Sequence, residues 1–389
     1  MRGSIRKRGK SSYRLTFDLE RDNTGKRRQR TVTVCGSKKQ AEAELSRILA
    51  DLQHGGFVDP GTVTVGEYLK RWLDHVASKT STKTHERYDE IVNFAIAPHL
   101  GTIRLSKLRA IHIQGFYSEA LVSGQKRRSG GLSAQTVLHY HRILSQSLKQ
   151  AVKWQLLANN PADAVEPPRP SRPEMVVLDD NQTATLLGAA ESTPLFLPVL
   201  LAATTGMRRG EVLALRWSNV DLDQKRLSVA QTLEKSRSRG LRFKQPKTKR
   251  SRRTISLPSI TVEALRKRRA EQAEVYLRLG RGWDIDTLVC CRPDGTPINP
   301  NTLTSGFASL VRSLDIPQVT FHGLRHTHAT HLFKEGVHPK IAQERLGHST
   351  ISTTLDLYSH VMPGMQEDAA LRVDKALKAA LRRRSDSEN

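Results

Sequence analysis

Thr205-Gly206-Met207-Arg208-Arg209-Gly210-Glu211 is the stretch on which the reading of this chain turns. An apolar run, Leu195 to Leu201, precedes it, and Val212, Leu213 and Leu215 follow it. The pattern predicts one buried helix over 196–205 and a second over 210–215, with the glycines at the break. Two arginines and a glutamate lodged between two buried helices need a purpose. Taken alone, they fit a charged helix N-terminus, with Glu211 favourable at the positive end of the dipole.

Four further motifs follow in the same half of the chain. Lys244-Gln245-Pro246-Lys247-Thr248-Lys249 lies between strand-like runs and by itself reads as a basic hairpin. His322-Gly323-Leu324-Arg325 is an H-x-x-R; the other, His139/Arg142, sits on an amphipathic helix without companions and reads as surface. Leu346-Gly347-His348 places a glycine where a helix ends. Tyr358 comes ten residues later, within Thr353-Thr354-Leu355-Asp356-Leu357-Tyr358-Ser359-His360. A lone tyrosine is ordinarily a core residue, but the five motifs together fit one reaction. Two arginines can clamp the non-bridging oxygens of a phosphodiester and offset charge in the transition state. One histidine can move a proton, and a second can donate to the same phosphoryl group. A lysine can protonate the leaving oxygen, and a tyrosine beside such positive charge can attack. His322, His326, His328 and His331 also invite a zinc reading, but no H-E-x-x-H pattern accompanies them, and metal-free chemistry is expected.

Composition agrees. The 389 residues hold 63 Lys+Arg against 38 Asp+Glu, a net charge of +25, and the pI is near 10.4. Such a surplus fits a polyanion whose counterions are released on binding. Aromatic residues are only 5%, which argues for duplex DNA rather than base-stacked single strands. The longest apolar run, 194–204, is too short to span a membrane, so no membrane association is expected. The basic N-terminus has no apolar segment behind it, and Cys35, Cys290 and Cys291 form no C-x-x-C, so an intracellular protein is expected. No G-x-x-x-x-G-K-[ST] loop occurs, and neither nucleotide nor cofactor is expected.

The chain divides by pattern. Residues 1–56 read as a small α/β domain: Tyr13, Leu15, Phe17 and Leu19 alternate, 28–34 is a return strand, and Ser37 to Gln40 is a capping box. Its Arg6, Arg8, Arg14, Arg28 and Arg30 form either a solvated face or, the reading preferred here, a basic sheet for a DNA groove. Residues 63–160 read as all helical, with a second helix ending before Pro98 and Gly101, and with a basic loop carrying Lys126, Arg127 and Arg128. Prolines make 161–177 an extended linker, and 178–389 is the catalytic domain, with helices over 180–191, 196–205 and 210–215 and strands over 226–234, 241–243 and 252–257.

On these motifs (T-G-M-R-R-G-E, P-K-T, H-G-L-R-H-T-H-A-T, L-G-H-S-T and T-T-L-D-L-Y-S-H) the sequence resembles the tyrosine recombinases, the phage integrase family, over residues 178–362. The first 56 residues are similar to the arm-binding domain of integrases from phages and conjugative transposons. The resemblance implies a multidomain fold: a three-stranded sheet plus helix, an all-α core-binding domain, and a mainly-α α+β catalytic domain. It implies that Arg208 and Arg325 bind the scissile phosphate and that Glu211 supports the first of them. Lys247 would be the general acid, favoured over Lys244 and Lys249 by the P-K-T context. His322 would act as base or acid, His348 would bond the phosphoryl oxygen, and Tyr358 would form a 3′-phosphotyrosyl link. It further implies a site-specific recombinase that integrates and excises a mobile element in the bacterial cytoplasm. Four protomers would assemble on core and arm sites, with a host DNA-bending protein and an excision factor as partners. The helix over 366–381, apolar at Ala369, Leu371, Val373, Ala376, Leu377 and Leu381, would pack either on a neighbouring protomer, the reading preferred here, or on its own domain. A type IB relaxing enzyme and a non-catalytic regulator are the competing classes; the intact motif set argues against the second.

Overall fold

The computed structural model describes residues 3–9, 11–19, 28–53, 62–124, 130–171, 175–245, 252–280, 282–352, 354–355 and, in the C-terminal helix, 370–371, 373–375 and 377–378. Lys126, Arg127, Arg128, Lys247 and Tyr358 lie outside the described residues. The chain forms two compact units, Met1–Ser171 and Arg172–Asn389. Among the described residues no helix is long and apolar enough to cross a membrane.

The first unit opens with an antiparallel sheet of β1 (Gly3–Gly9), β2 (Ser12–Leu19) and β3 (Arg28–Cys35), in that order, followed by α1 (Lys38–Gln53). Ser37 caps α1: its hydroxyl accepts the Gln40 N–H (3.3 Å) and Gln40 Oε1 accepts the Ser37 N–H (2.8 Å). Alternation puts Leu15 and Phe17 against Ala41, Leu45 and Ile48 of the helix, forming a small separate core. Arg6 pairs with Arg14 on the opposite, exposed face, and Arg8 is exposed as well. In the backbone register Arg30 pairs with Phe17 and Arg28 with Leu19.

The helices α2 (Val65–Ala77), α3 (Thr82–Ile91), α4 (Ala97–Leu100), α5 (Ala110–Ser123) and α6 (Ala134–Lys153) enclose a second core around Tyr68, Trp72, Ile113, Tyr117 and Leu144. The helix expected to stop before Pro98 instead runs on to Leu100. A π-turn over Val92–Ile96 widens the ladder, so that the Ala97 N–H bonds Val92 O, and Pro98 then falls in the first turn of α4, where no N–H is needed. The expected linker is also shorter than its prolines suggest. Pro161–Ala164 forms a 3₁₀ turn capped by Asn160, and Ala162 and Val165 are buried in the helical core.

The second unit contains α7 (Asp180–Ala190), α8 (Phe196–Thr205), α9 (Arg209–Val212), β4 (Val220–Asp221), β5 (Arg226–Val229), β6 (Thr232–Ser236), β7 (Gly240–Lys244), β8 (Arg253–Ser256), α10 (Ser259–Arg278), α11 (Pro300–Arg312), α12 (Gly323–Lys334) and α13 (Pro339–Leu346). The strand expected over 226–234 is two strands. β5 pairs between β4 and β8, whereas β6 leaves that sheet and forms a hairpin with β7. Helix α9 packs directly on this hairpin, and a Cβ on Gly210 would lie 2.4 Å from Thr232 Oγ1 and 2.7 Å from Leu233 O. Helix α8 is buried along most of its length, and α12 packs against both α8 and α13.

Candidate active site

Gly206 ends α8 in the left-handed region (φ 66°), and a Cβ there would lie 2.5 Å from Leu346 and 2.8 Å from His328. Only glycine meets both conditions, so the ends of α8 and α13 and the middle of α12 converge at one point. Two residues on, Arg208 takes an extended backbone and starts α9. Glu211 reaches back one turn: its Oε2 accepts the Arg208 N–H (2.9 Å) and its Oε1 accepts Arg208 Nη1 (2.8 Å).

A second guanidinium holds the same carboxylate. Arg253, the first residue of β8, donates Nη2 to Glu211 Oε2 (2.8 Å) and Nη1 to Oε1 (3.3 Å). Burial alone would raise the Glu211 pKa, but the hydrogen bonds and charges of Arg253 and Arg208 outweigh it and hold the carboxyl below its ordinary value.

Three arginines then converge on three consecutive carbonyls at the end of α13. Arg253 Nε donates to Arg345 O (2.6 Å), Arg325 Nη2 to Leu346 O (2.6 Å), and Arg208 Nη2 to Gly347 O (3.2 Å). A helix C-terminus leaves such carbonyls unpaired and carries the negative end of the dipole, so it attracts cations. Arg325 also donates Nη1 to Gly206 O (2.8 Å), and it is only 3% exposed. Burial, then the charge of Arg208, lowers the Arg325 pKa to about 9, which leaves it charged at neutral pH. Gly347 closes α13 with φ 68°, and a Cβ there would lie 3.1 Å from the Arg253 side chain.

The geometry of the helix end positions His348. Gln343 O accepts both the Gly347 N–H (2.8 Å) and the His348 N–H (3.2 Å), and His348 Nδ1 lies 2.9 Å from Thr354 Oγ1. Burial, then Arg325 and Arg208, pushes this imidazole down to about 4. His322 begins α12, with Arg325 one turn on, and its ring meets His326 edge to face at 5.1 Å between centroids. His322 keeps an exposed edge, yet the walls of the site desolvate it, and His326, Arg325 and Arg208 add to that effect, so it too falls to about 4. Both imidazoles are neutral at pH 7, each able to accept a proton.

The fold thus gathers Arg208, Glu211, His322, Arg325 and His348 from three separated stretches of chain, leaving Lys247 and Tyr358 outside the described residues. It also separates look-alikes. Arg209 turns away, to Pro300 O (3.1 Å) and the Thr304 hydroxyl. Lys244 pairs with Glu234 at 2.7 Å across the hairpin. His328 Nε2 accepts from Arg345 Nε (3.0 Å), and His331 lies on Leu178 O (3.0 Å), so these histidines serve the packing of α12. The sequence reading missed Arg253, Gln343 and Arg345. For Arg253 a signal was present: it is in phase with the buried Ile255 and Leu257 on one strand, a position where an arginine needs partners.

Residues 176–364 match the phage integrase family, and residues 64–121 match the N-terminal SAM-like domain of phage integrases. A XerC-like tyrosine recombinase of Caldanaerobacter subterraneus is 30% identical over 382 residues, covering 93% of this chain and 96% of the relative. The Tn1549 transposon integrase, solved in complex with a circular intermediate DNA, superposes with a TM-score of 0.68 at 19% identity, over 80% of this chain and 100% of that one. A lambda integrase tetramer bound to a Holliday junction gives 0.55 at 20% identity, over 89% and 95%. The chain is a member of the phage integrase family, a tyrosine-type site-specific DNA recombinase.

Proposed function

We propose that this recombinase integrates and excises a mobile element by cutting duplex DNA through Tyr358. Arg208 and Arg325 hold the non-bridging oxygens of the scissile phosphate, and His348 donates to the same group. The Tyr358 oxygen attacks phosphorus as the bond to the 5′-oxygen breaks. Neutral His322 takes the phenolic proton, and Lys247 supplies one to the leaving 5′-oxygen. The 3′-phosphotyrosyl bond conserves the energy of the broken linkage, so rejoining needs no nucleotide. The observation that carries this reading is the shared anchor: Arg208 and Arg325 donate to adjacent carbonyls, Gly347 O and Leu346 O, immediately before His348.

The wider reading is that four protomers act together on core sites. Lys126, Arg127 and Arg128 touch core DNA, the N-terminal sheet with Arg6, Arg8, Arg14, Arg28 and Arg30 binds arm sites, and a host DNA-bending protein and an excision factor set direction. Support for assembly comes from the C-terminal helix, whose Leu371, Val373 and Leu377 are exposed on the single chain and suit a neighbouring protomer. The decisive experiment traps the adduct on a nicked duplex substrate. Tyr358→Phe is expected to bind that DNA as the wild type does and to form no covalent complex. An adduct that survives the substitution would assign the attack to another side chain.

A further inference from the structure

Arg253 has no part in the reaction above, yet it is bonded into the frame of the phosphate pocket. Its side chain is 5% exposed, too little to grip DNA. It donates to the Glu211 carboxylate that holds Arg208, and to Arg345 O, the carbonyl just before those that hold Arg325 and Arg208. Its stem also lies against Gly347, next to His348.

We propose that Arg253 is a positioning residue for DNA cleavage, keeping Glu211 from capturing Arg208 and locking the end of α13 so that Arg208, Arg325 and His348 face one phosphate. Two physical effects combine. With Arg253 in place, two guanidinium groups share one buried carboxylate, and a surplus of positive charge is left for the substrate. Without it, Glu211 pairs with Arg208 alone, and the charge of Arg208 is spent inside the protein. The second effect is geometric. Arg253 uses Nε, Nη1 and Nη2 at once, a planar fork that a lysine ammonium cannot reproduce.

The inference rests on the phosphotyrosine reading above, so the experiment carries its own control. Wild type, Tyr358→Phe, Arg253→Met and Arg253→Lys are compared at saturating DNA, well below each melting temperature. Substrates carry either the natural phosphate or a neutral methylphosphonate at the cleavage position. On phosphate, Arg253→Met is expected to cleave roughly 10–100-fold more slowly, by analogy with the loss seen when a group that orients a metal ligand is removed, with DNA affinity nearly unchanged. On methylphosphonate, which removes the charge that Arg208 must meet, the same variant is expected to approach wild type. Arg253→Lys should fall between the two and stands in if the methionine variant does not fold. Equal slowing on both substrates would make Arg253 a folding residue only and overturn the inference, as would an unchanged rate on phosphate. A wild type without a Tyr358-dependent adduct would overturn the chemistry and this inference together.

Discussion

The arginines of the catalytic unit and those of the N-terminal sheet are the same residue put to opposite physical uses. Arg325 is 3% exposed and hydrogen-bonded to two backbone carbonyls. Arg6, Arg8 and Arg14 stand exposed on the outer face of a thin sheet. A charge held rigidly out of water has already met its desolvation cost and can stabilise a transition state without reorganising. A charge left in water keeps its rotamer freedom and is suited to neutralising phosphates with release of counterions. One set can therefore supply rate, and the other affinity.

The most severe way to break this contrast is to remove a held charge. Arg325→Met leaves the carbonyls of Gly206 and Leu346 without their donor. It should abolish detectable cleavage and lower the stability of the catalytic unit by about 3 kcal/mol, since hydrogen bonds to charged groups are each worth ~1.5–3 kcal/mol. Urea unfolding and adduct formation measure the two losses separately. If a folded Arg325→Met protein cleaved at the wild-type rate, the held arginines would have no part in the chemistry.

Acid tests the same frame more gradually. His328 stays neutral in the fold because burial and then Arg345 push its pKa down to about 3, and its Nε2 must accept from Arg345. The unfolded chain, with an ordinary value near ~6.5, takes up the proton first as pH falls. Stability is thus complete above about 6.5 and is lost progressively toward pH 3. His328→Gln keeps an acceptor for Arg345 and removes the titration. It should flatten the pH–stability curve between about 6 and 4 by up to ~1.4 kcal/mol per pH unit. An unchanged slope in denaturant titrations would mean that other groups carry the acid sensitivity.

A smaller effect separates neighbours. Arg209→Ala removes donors to Pro300 O and Thr304 and should cost about 1–2 kcal/mol of stability, while the folded variant cleaves normally. Arg208→Ala should do the reverse, sparing stability more than cleavage. The smallest effect is expected on the sheet. Arg14→Ala should leave cleavage of a short core-site duplex untouched, weaken arm-site binding about uniformly across sequences, and reduce the salt slope by ~1. Titration of arm DNA at several salt concentrations reads this directly, and an unaltered slope would remove Arg14 from phosphate contact.

Local pattern revealed much of the fold. The capping box at Ser37, the apolar stripes of the helical core and the helix end at Gly347 are decided by residues close in the chain, so periodicity and capping chemistry expose them. The misses are long-range. Whether 226–234 is one strand or two depends on which partner each half finds, β8 or β7. Pro98 looks like a helix stop until a π-turn absorbs it. Pro161 looks like linker until Ala162 and Val165 find a core to enter.

The catalytic candidates divide along the same line. Phosphate chemistry asked for arginines, histidines, a lysine and a tyrosine, and the resemblance to the tyrosine recombinases picked out Arg208, Glu211, His322, Arg325 and His348 among them. Tertiary structure showed how Arg208 differs from Arg209 and His322 from His328, and it alone brought in Arg253. The reason is that a side chain's role depends on which way it points and what is desolvated around it. Both are set where α8, α12 and α13 meet, by residues more than a hundred positions apart.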